Sequence, residues 1–264
     1  MEKRILVIAS LIALIFLLCW AQLEKFEYFD FDDGNQKEKN NGKQKEIPKI
    51  IHQIWLGTEE TRPVQWMDTW KNKNTVEYQY VLWDSKKIDN DLVWTKDMRK
   101  IYEMENDLRG RSNIARLLIL HQYGGIFIDE DAIYLTQNNK DLTRLIDKAR
   151  NQQSNFFAAK EPNQNYLSNS VMGSTAGNPV ISFMLNKLEE LVEGYKEVRE
   201  KMSADLVNGN GLLTKADMYN YHITLIPEVM FYPPTRQWQQ ARHIPQRAYM
   251  YNYNYSKNIQ KDYK

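Results

Sequence analysis

Two aspartates one residue apart, at the end of an apolar segment, are the side chains of this sequence best suited to chemistry. Residues 126–128 are apolar, and Asp129, Glu130 and Asp131 follow them directly. A carboxylate that ends a buried strand loses hydration, so it is stabilised by a cation. Alternate residues of a strand point to one side, so Asp129 and Asp131 would together offer oxygen ligands to Mg²⁺ or Mn²⁺, which can also hold a phosphate. A solvated acidic turn is the alternative interpretation.

The segments around these aspartates alternate between helical and extended patterns. Residues 112–123 place apolar side chains at helical spacing, with Ser112 as the candidate N-cap and Gly124 as the stop. Further strands are predicted at residues 50–55, 78–83, 156–159 and 223–226, and further helices at 63–71 and 178–202. This alternation predicts an α/β fold whose mainly parallel sheet is flanked by helices, with ligands bound at the carboxyl ends of its strands.

The composition is that of a globular protein large enough for one domain with short appendages. The chain has 264 residues, of which 42% are hydrophobic and 26% are charged. Its net charge of +1 gives no reason to expect a nucleic-acid partner. Cys19 is the only cysteine, so no disulfide can form within the chain and stability must come from the core.

The first residues have the pattern of a membrane or export signal. Lys3 and Arg4 precede residues 5–21, which carry no charge and would span about 25 Å as a helix. Basic residues before an apolar segment favour a cytoplasmic N-terminus. We therefore expect a transmembrane signal-anchor at residues 1–21 of a single-pass type II membrane protein that faces the lumen of the Golgi or secretory pathway. Cleavage after Ala21, giving a secreted protein, is the alternative.

Residues 22–46 separate this segment from the part of the chain that is expected to fold. Their mixed charge, with Asn and Gly, cannot bury enough apolar surface to become ordered and predicts a flexible stem. Apolar strand patterns begin at Ile47, so one folded domain is expected over residues 47–264.

The central block of the sequence resembles a known family. Residues 116–120 and 123–131 are similar to the helix, the Gly-Gly turn and the DXD motif of the sugar-transferring, family 32-like glycosyltransferases. This group includes yeast-type initiating α-1,6-mannosyltransferases and α-1,4-galactosyl- and N-acetylglucosaminyltransferases. The other matching segments are residues 47–57, 80–84, 172–174, 177–179, 209–214 and 231–233.

The resemblance implies a nucleotide-binding α/β domain of the GT-A type over residues 47–264. Asp129 and Asp131 would hold Mn²⁺ or Mg²⁺, and the metal would grip the diphosphate of a UDP- or GDP-sugar. The implied donor-binding residues are Trp55, Asn113, Arg116, Gly125 and Asp129. Trp55 would lie near the base. Asp129, Asp131 and Arg116 would be catalytic. The two aspartates would act through the metal, and Arg116 would add positive charge beside the departing diphosphate.

Three departures from the family pattern accompany these matches. Asn113 replaces the usual Asp, which keeps a hydrogen-bonding oxygen but removes the charge. Asn210 replaces a frequent Pro. Residues 249–257 lack the family's His before a Ser-Trp pair, and Asn252 in this segment is the candidate for an additional oxygen ligand of the metal.

The implied reaction moves a sugar from a nucleotide-sugar to a hydroxyl of a glycan, glycolipid or glycoprotein, with retention at the anomeric carbon. No residue stands out as a general base. The membrane would be contacted through the N-terminal helix, and no nucleic acid is expected. A membrane-anchored sugar-binding protein or a catalytically inactive relative is the alternative, motivated by the three departures. A metal-dependent phosphohydrolase is a less favoured third function.

Overall fold

The strands of the structure form one large sheet and one small sheet. The computed structural model describes residues 46–73, 77–134, 142–161, 165–232 and 250–252. The strands are β1 (Ile50–Ile54), β2 (Gln79–Trp83), β3 (Gly125–Ile128), β4 (Ala132–Tyr134), β5 (Phe156–Lys160), β6 (Leu167–Ser174), β7 (Thr224–Ile226) and β8 (Met250–Asn252). Six of them form a sheet in the order β2-β1-β3-β6-β5-β7, and β4 pairs with β8.

Five of the six strands of the large sheet run in one direction, as the prediction of a mainly parallel sheet requires, and the reversed strand β6 makes the sheet mixed. Strand β1 runs parallel to β2 and β3, and β5 runs parallel to β7. Strand β6 runs antiparallel to both of its neighbours, β3 and β5. The short connection from β5 to β6 requires this, since parallel neighbours need a crossover of about a dozen residues or more. The sequence of β6, LSNSVMGS, is too polar to be recognised as an apolar run.

Helices cover the sheet on both faces. They are α1 (Val64–Lys73), α2 (Ser85–Asp91), α3 (Lys96–Met104), α4 (Leu108–Tyr123), α5 (Thr143–Asn151), α6 (Pro179–Glu189), α7 (Tyr195–Lys201), α8 (Ala204–Val207) and α9 (Asn210–Met218). Helix α4 begins before the predicted N-cap, Ser112, because Asp107 caps it by accepting a 3.0 Å hydrogen bond from the amide of Arg109. Ser112 lies buried inside the helix.

The prediction of one continuous helix over residues 178–202 is wrong. Asn178 caps α6 as expected, but α6 ends at Glu189 and the chain turns before α7 begins. The turn carries Tyr195 into the interior, where its hydroxyl donates to Glu105 at 2.7 Å. Apolar spacing continued across the turn, so the pattern alone could not show the break.

Apolar side chains form a core on each face of the sheet. Phe127 of β3 packs into the core that α3, α4, α6 and α9 cover. Ile126 and Ile128 of the same strand pack into the other core, with Trp70 of α1 and Leu145 of α5. This alternation is that of a central strand buried on both sides.

The carboxyl ends of three strands meet at one edge of the large sheet, termed here the ligand edge. Strands β1 and β3 are parallel, and β5 has the same direction because β6 runs against both β3 and β5. The amino end of β6 therefore lies at the ligand edge as well. Residues that follow β1, β3 and β5, or that begin β6, are brought together there although they are distant in sequence.

The membrane prediction falls on residues that the structure does not describe. The expected signal-anchor, residues 1–21, and the stem through residue 45 lie outside the described residues. Within the described part of the chain, no helix is both long and apolar enough to cross a bilayer. The domain boundaries stay a prediction.

Candidate active site

The aspartate pair lies in a tight turn at the carboxyl end of β3. The strand ends at Ile128, and the amide of Asp129 donates to the carbonyl of Ser170 at 2.9 Å. The amide of Ala132 donates back to the carbonyl of Asp129 at 3.2 Å. A turn, and not the alternation of a strand, therefore brings both aspartates to the ligand edge. The alternative of a solvated turn does not hold for Asp131, which is 7% exposed.

An ion pair joins this turn to α4. Arg116 donates from Nη2 to Oδ1 of Asp129 at 2.8 Å and from Nη1 to the carbonyl of Asn169 at 2.5 Å. Its guanidinium carbon lies 4.2 Å from the centroid of the Phe127 ring, within the range of a cation–π contact. The Arg116 side chain is 4% exposed and that of Asp129 is 19% exposed. The structure thus brings the predicted Arg116 into direct contact with the predicted Asp129.

The backbone of Asp129 is fixed from β1 by a residue that the sequence analysis did not single out. Gln53 is fully buried and donates from Nε2 to the carbonyl of Asp129 at 3.1 Å. Its Oε1 accepts the hydroxyl of Tyr80 at 2.9 Å, so both ends of the amide are engaged. A polar side chain inside an apolar strand is the signal that could have revealed this role.

Three acidic residues are crowded at the turn. Burial, together with repulsion from the Asp129 carboxylate, raises the pKa of Glu130 to about 7. Among the described residues, no group of three or more His, Cys, Asp or Glu side chains is arranged to hold a metal ion. A cation at this turn would therefore need further oxygen atoms from a substrate or from water, as Mg²⁺ commonly does when it binds phosphates.

Trp55 lies at the ligand edge, immediately after β1. It is partly exposed and belongs to neither core, so packing in the core does not account for it. Its Nε1 donates to the carbonyl of Thr58 at 2.8 Å. A Cβ at Gly57 would lie 2.6 Å from the Trp55 ring, so the absence of a side chain at Gly57 allows the ring to fold over the loop.

Asn113 lies in a buried chain of side-chain amides. It is 1% exposed, its Nδ2 donates to Oδ1 of Asn208, and its Oδ1 accepts from Nδ2 of Asn169, both at 3.0 Å. Asn208 in turn donates to Oε2 of Glu105 at 3.3 Å and to the hydroxyl of Tyr195 at 2.8 Å. An ionised carboxylate only accepts hydrogen bonds, so Glu105 determines the orientation of the whole chain of amides.

A further carboxylate, Glu161, lies at the ligand edge and was missed from the sequence. It follows β5 directly, and its Oε2 accepts from Nδ2 of Asn210 at 2.8 Å. Oδ1 of Asn210 accepts the backbone amide of Asn169 at 2.7 Å. Burial, and then the negative charge of Asp129, raise the pKa of Glu161. Its position directly after a short apolar strand is the one feature of the sequence that could have indicated Glu161 as a site residue.

Gly125 lies away from the ligand edge. It is the first residue of β3, at the end of the strand opposite to Asp129. Its φ is 100°, and a Cβ there would lie 2.7 Å from the carbonyl oxygen of Ile50. Close approach to β1 explains the glycine. The structure therefore does not bring Gly125 to the other predicted donor-binding residues.

Asn252 is brought near the aspartates through its backbone. It is the last residue of β8, and the register of the small sheet pairs it with Ala132. Ala132 follows Asp131 directly, so this pairing joins the C-terminal segment to the turn. The sequence alone could not reveal this pairing, because Ala132 and Asn252 lie 120 positions apart and only the tertiary structure brings them together.

His52 of β1 has a structural role at the opposite end of β3. It is 1% exposed, its Nε2 lies 2.8 Å from the carbonyl of Gly124, and its Nδ1 accepts from Nε1 of Trp83 at 3.0 Å. An indole N–H only donates, so the proton of the imidazole is on Nε2, which donates to Gly124. Burial lowers the pKa of His52 to about 4, which keeps the ring neutral at physiological pH.

Known proteins are similar to this chain, and the family model matches the part that contains α4, β3 and the aspartate turn. Residues 61–153 match the family model of the glycosyltransferase sugar-binding region containing DXD motif. Inositol phosphoceramide mannosyltransferase 3 of Schizosaccharomyces pombe is 27% identical over 179 residues, which are 65% of this chain and 45% of that protein. Uncharacterized glycosyltransferase L373 of Acanthamoeba polyphaga mimivirus is 29% identical over 149 residues, which are 54% of this chain and 55% of that protein.

The chain spans about half the length of these curated relatives. Among solved structures, PaToxG glycosyltransferase aligns with 67% of this chain and 70% of its own at a TM-score of 0.45 and 19% identity. The expected enzyme class, glycosyltransferase, agrees with the family model and with both curated relatives. The resemblance seen in the sequence is thereby confirmed for residues 61–153, which are similar to the DXD-containing sugar-binding region of glycosyltransferases.

Proposed function

We propose that this chain transfers a sugar from a nucleotide-sugar donor to an acceptor hydroxyl, on a domain of the GT-A type. The observation that carries the proposal is the contact between Arg116 and Asp129, 2.8 Å apart at the carboxyl end of β3 and within the matched sugar-binding region. The contact puts a fixed cation beside a partly exposed carboxylate. Open α/β sheets bind their ligands at this position.

Asp129 and Asp131 fit a hard divalent cation, Mn²⁺ or Mg²⁺. Carboxylate oxygens are the preferred ligands of such ions, and the tight turn carries both side chains. Arg116 engages Oδ1 of Asp129 and would hold this carboxylate in one orientation for the ion. We propose Asn252 as a further oxygen ligand, since its strand pairs with Ala132. When bound, the ion would supply Lewis-acid stabilisation of the departing diphosphate.

The other proposed roles belong to side chains at the same edge. Arg116 holds the Asp129 carboxylate in one orientation and adds positive charge where negative charge develops on the diphosphate. Trp55, partly exposed at the end of β1, would pack its ring against the nucleotide base. Retention at the anomeric carbon is proposed by analogy with the family, and no general base is assigned.

The proposed acceptor is a hydroxyl of a glycan, glycolipid or glycoprotein. The name of the relative inositol phosphoceramide mannosyltransferase makes a glycolipid the first acceptor to test. We also propose that residues 1–21 anchor the chain in a membrane of the secretory pathway, because their apolar run follows basic residues. Protection of a C-terminal tag from protease in intact microsomes would support the type II orientation, and release of the chain by carbonate would contradict it.

A donor-hydrolysis assay tests the reaction. The full chain is incubated with UDP- and GDP-sugars and Mn²⁺, and release of nucleoside diphosphate is measured with and without acceptor. Slow release without acceptor, faster release with acceptor and loss of release in EDTA are expected. Binding without release would indicate the sugar-binding alternative, and orthophosphate as the product would indicate a phosphohydrolase. Calorimetry that finds the same UDP and GDP affinity with and without Mn²⁺ would refute the metal assignment.

A further inference from the structure

Asn113 and Asn210, two of the departures from the family pattern, have different roles near the ligand edge. Asn113 carries no charge, is 1% exposed and has both amide atoms bound to neighbouring side chains. Position 113 therefore offers no carboxylate to a ligand. Asn210 at the start of α9 instead uses its amide to hold a different carboxylate, that of Glu161, at 2.8 Å.

Glu161 is placed along the ligand edge from Asp129. It follows β5, which has the same direction as β3, and one strand, β6, lies between them. The ends of two strands with one strand between them are about 10 Å apart. A sugar attached to a diphosphate can span that separation when the diphosphate lies at the aspartate turn.

The same backbone residue positions Glu161 and Arg116. The amide of Asn169 donates to Oδ1 of Asn210 at 2.7 Å, and the carbonyl of Asn169 accepts from Nη1 of Arg116 at 2.5 Å. Because its oxygen is engaged, Asn210 must direct its NH₂ group at Glu161. One side of the Glu161 carboxylate is thus fixed. The side chain is partly exposed, and a carboxylate has about four lone-pair sites, so beside the Asn210 amide and the Ser168 hydroxyl it retains capacity for a further hydroxyl donor.

We infer, on the basis of the function proposed above, that Glu161 accepts a hydrogen bond from a hydroxyl of the transferred sugar. Glu161 is accordingly a specificity-determining residue that favours sugars with a hydroxyl within its reach. Asn210 serves to orient it.

Calorimetry on the full chain with Mn²⁺ tests this assignment by comparing a nucleotide-sugar with its own nucleoside diphosphate. Glu161→Gln keeps an oxygen for Asn210 and removes the charge. Its affinity for the nucleotide-sugar is expected to fall about tenfold, while its affinity for the nucleoside diphosphate and its melting temperature stay unchanged. Asn210→Ala should show the same pattern, more weakly. Glu77→Gln, at an exposed glutamate before β2 and at the opposite edge, should match the wild type in both titrations.

Each remaining outcome overturns the inference in a recognisable way. Equal nucleotide-sugar affinity in the wild type and Glu161→Gln would refute the role of Glu161 and leave the proposed function standing. A parallel fall for the nucleotide-sugar and the nucleoside diphosphate would show that Glu161 supports the whole site and does not contact the sugar. If the wild type binds neither UDP nor GDP, the proposed function fails, and the inference fails with it.

Discussion

The amide nitrogen of Asn113 faces the amide oxygen of Asn208, 3.0 Å away in the protein interior. Asn208 cannot reverse its amide, because its nitrogen donates to Glu105. The Glu105 carboxylate also accepts the hydroxyl of Tyr195 at 2.7 Å and Nε of Arg199 at 2.6 Å, so it stays ionised and acceptor-only. An amide at position 113 suits this network, whereas a carboxylate there would place an oxygen against the oxygen of Asn208.

Asn113→Asp is therefore expected to destabilise the fold by about 1–3 kcal/mol. The change removes the donor to Asn208 and buries an acid beside an acceptor. Urea unfolding at neutral pH measures the loss. Asn186→Asp, at an exposed position of α6, is the matched control and should stay within about 0.5 kcal/mol of the wild type. Equal stability of Asn113→Asp and the wild type would mean that the amide chain can reorient.

Asp131→Asn tests the metal hypothesis with little change of shape. The amide is a weaker ligand for a hard cation than the carboxylate, so Mn²⁺-dependent release of nucleoside diphosphate should fall on the order of a hundredfold or more. Asp217→Asn, at an exposed aspartate of α9, should retain full release. An undiminished response of Asp131→Asn to Mn²⁺ would exclude Asp131 as a ligand.

Arg116→Lys separates charge from geometry at the ion pair. Lysine keeps the positive charge, but a single ammonium cannot reproduce the fork that contacts both Asp129 and Asn169. We expect the free energy of unfolding to fall by about 1–3 kcal/mol and nucleoside diphosphate release to fall about tenfold. Arg144→Lys, exposed on α5, should change neither quantity. Full activity in Arg116→Lys would show that charge alone is sufficient.

Trp55→Ala tests the proposed contact with the nucleotide base. Stacking on an aromatic ring contributes about 1–3 kcal/mol per base, so the affinity for the nucleoside diphosphate should fall about tenfold or more. Trp55→Phe should recover most of that affinity. Because Trp55 is partly exposed and outside both cores, the melting temperature should change little. Unchanged affinity with lowered stability would make Trp55 a structural residue.

His52 should make stability depend on pH. Its pKa is about 4 in the folded protein against an ordinary value of 6.5, so the unfolded chain binds more protons between these values. The stabilising contribution is complete above about pH 6.5 and is lost as the pH falls toward about 4. The full difference corresponds to about 3 kcal/mol.

Urea unfolding at pH 7 and at pH 4.5 measures this dependence. His52→Gln should lose less stability than the wild type over the same interval, because the titrating group is absent. His222→Gln, at an exposed histidine, should behave as the wild type does. If His52→Gln and the wild type lose stability equally, then other groups cause the pH dependence.

The sequence predicted several elements correctly because their signals are local. The apolar run between Pro48 and Gly57 forms β1, and the short run before Asp129 forms β3. Helix α4 ends at Gly124, whose φ of 65° favours glycine, as the sequence indicated. Each of these features depends on residues within one or two turns of chain. The break before α7 was missed because apolar side chains keep their helical spacing across it. Strand β6 was missed because its sequence is too polar to form an apolar run.

Composition and spacing alone were enough to identify the chemistry that the chain can offer, namely paired carboxylates after a buried strand. The partners of those groups depended on the tertiary structure. Arg116 and Asp129 are 13 residues apart, Glu161 and Asn210 are 49 apart, and Asn113 and Asn208 are 95 apart. Periodicity reports only which face of an element is apolar. Contacts at these separations arise from the strand order and from the reversed direction of β6, which follow from how the elements pack together.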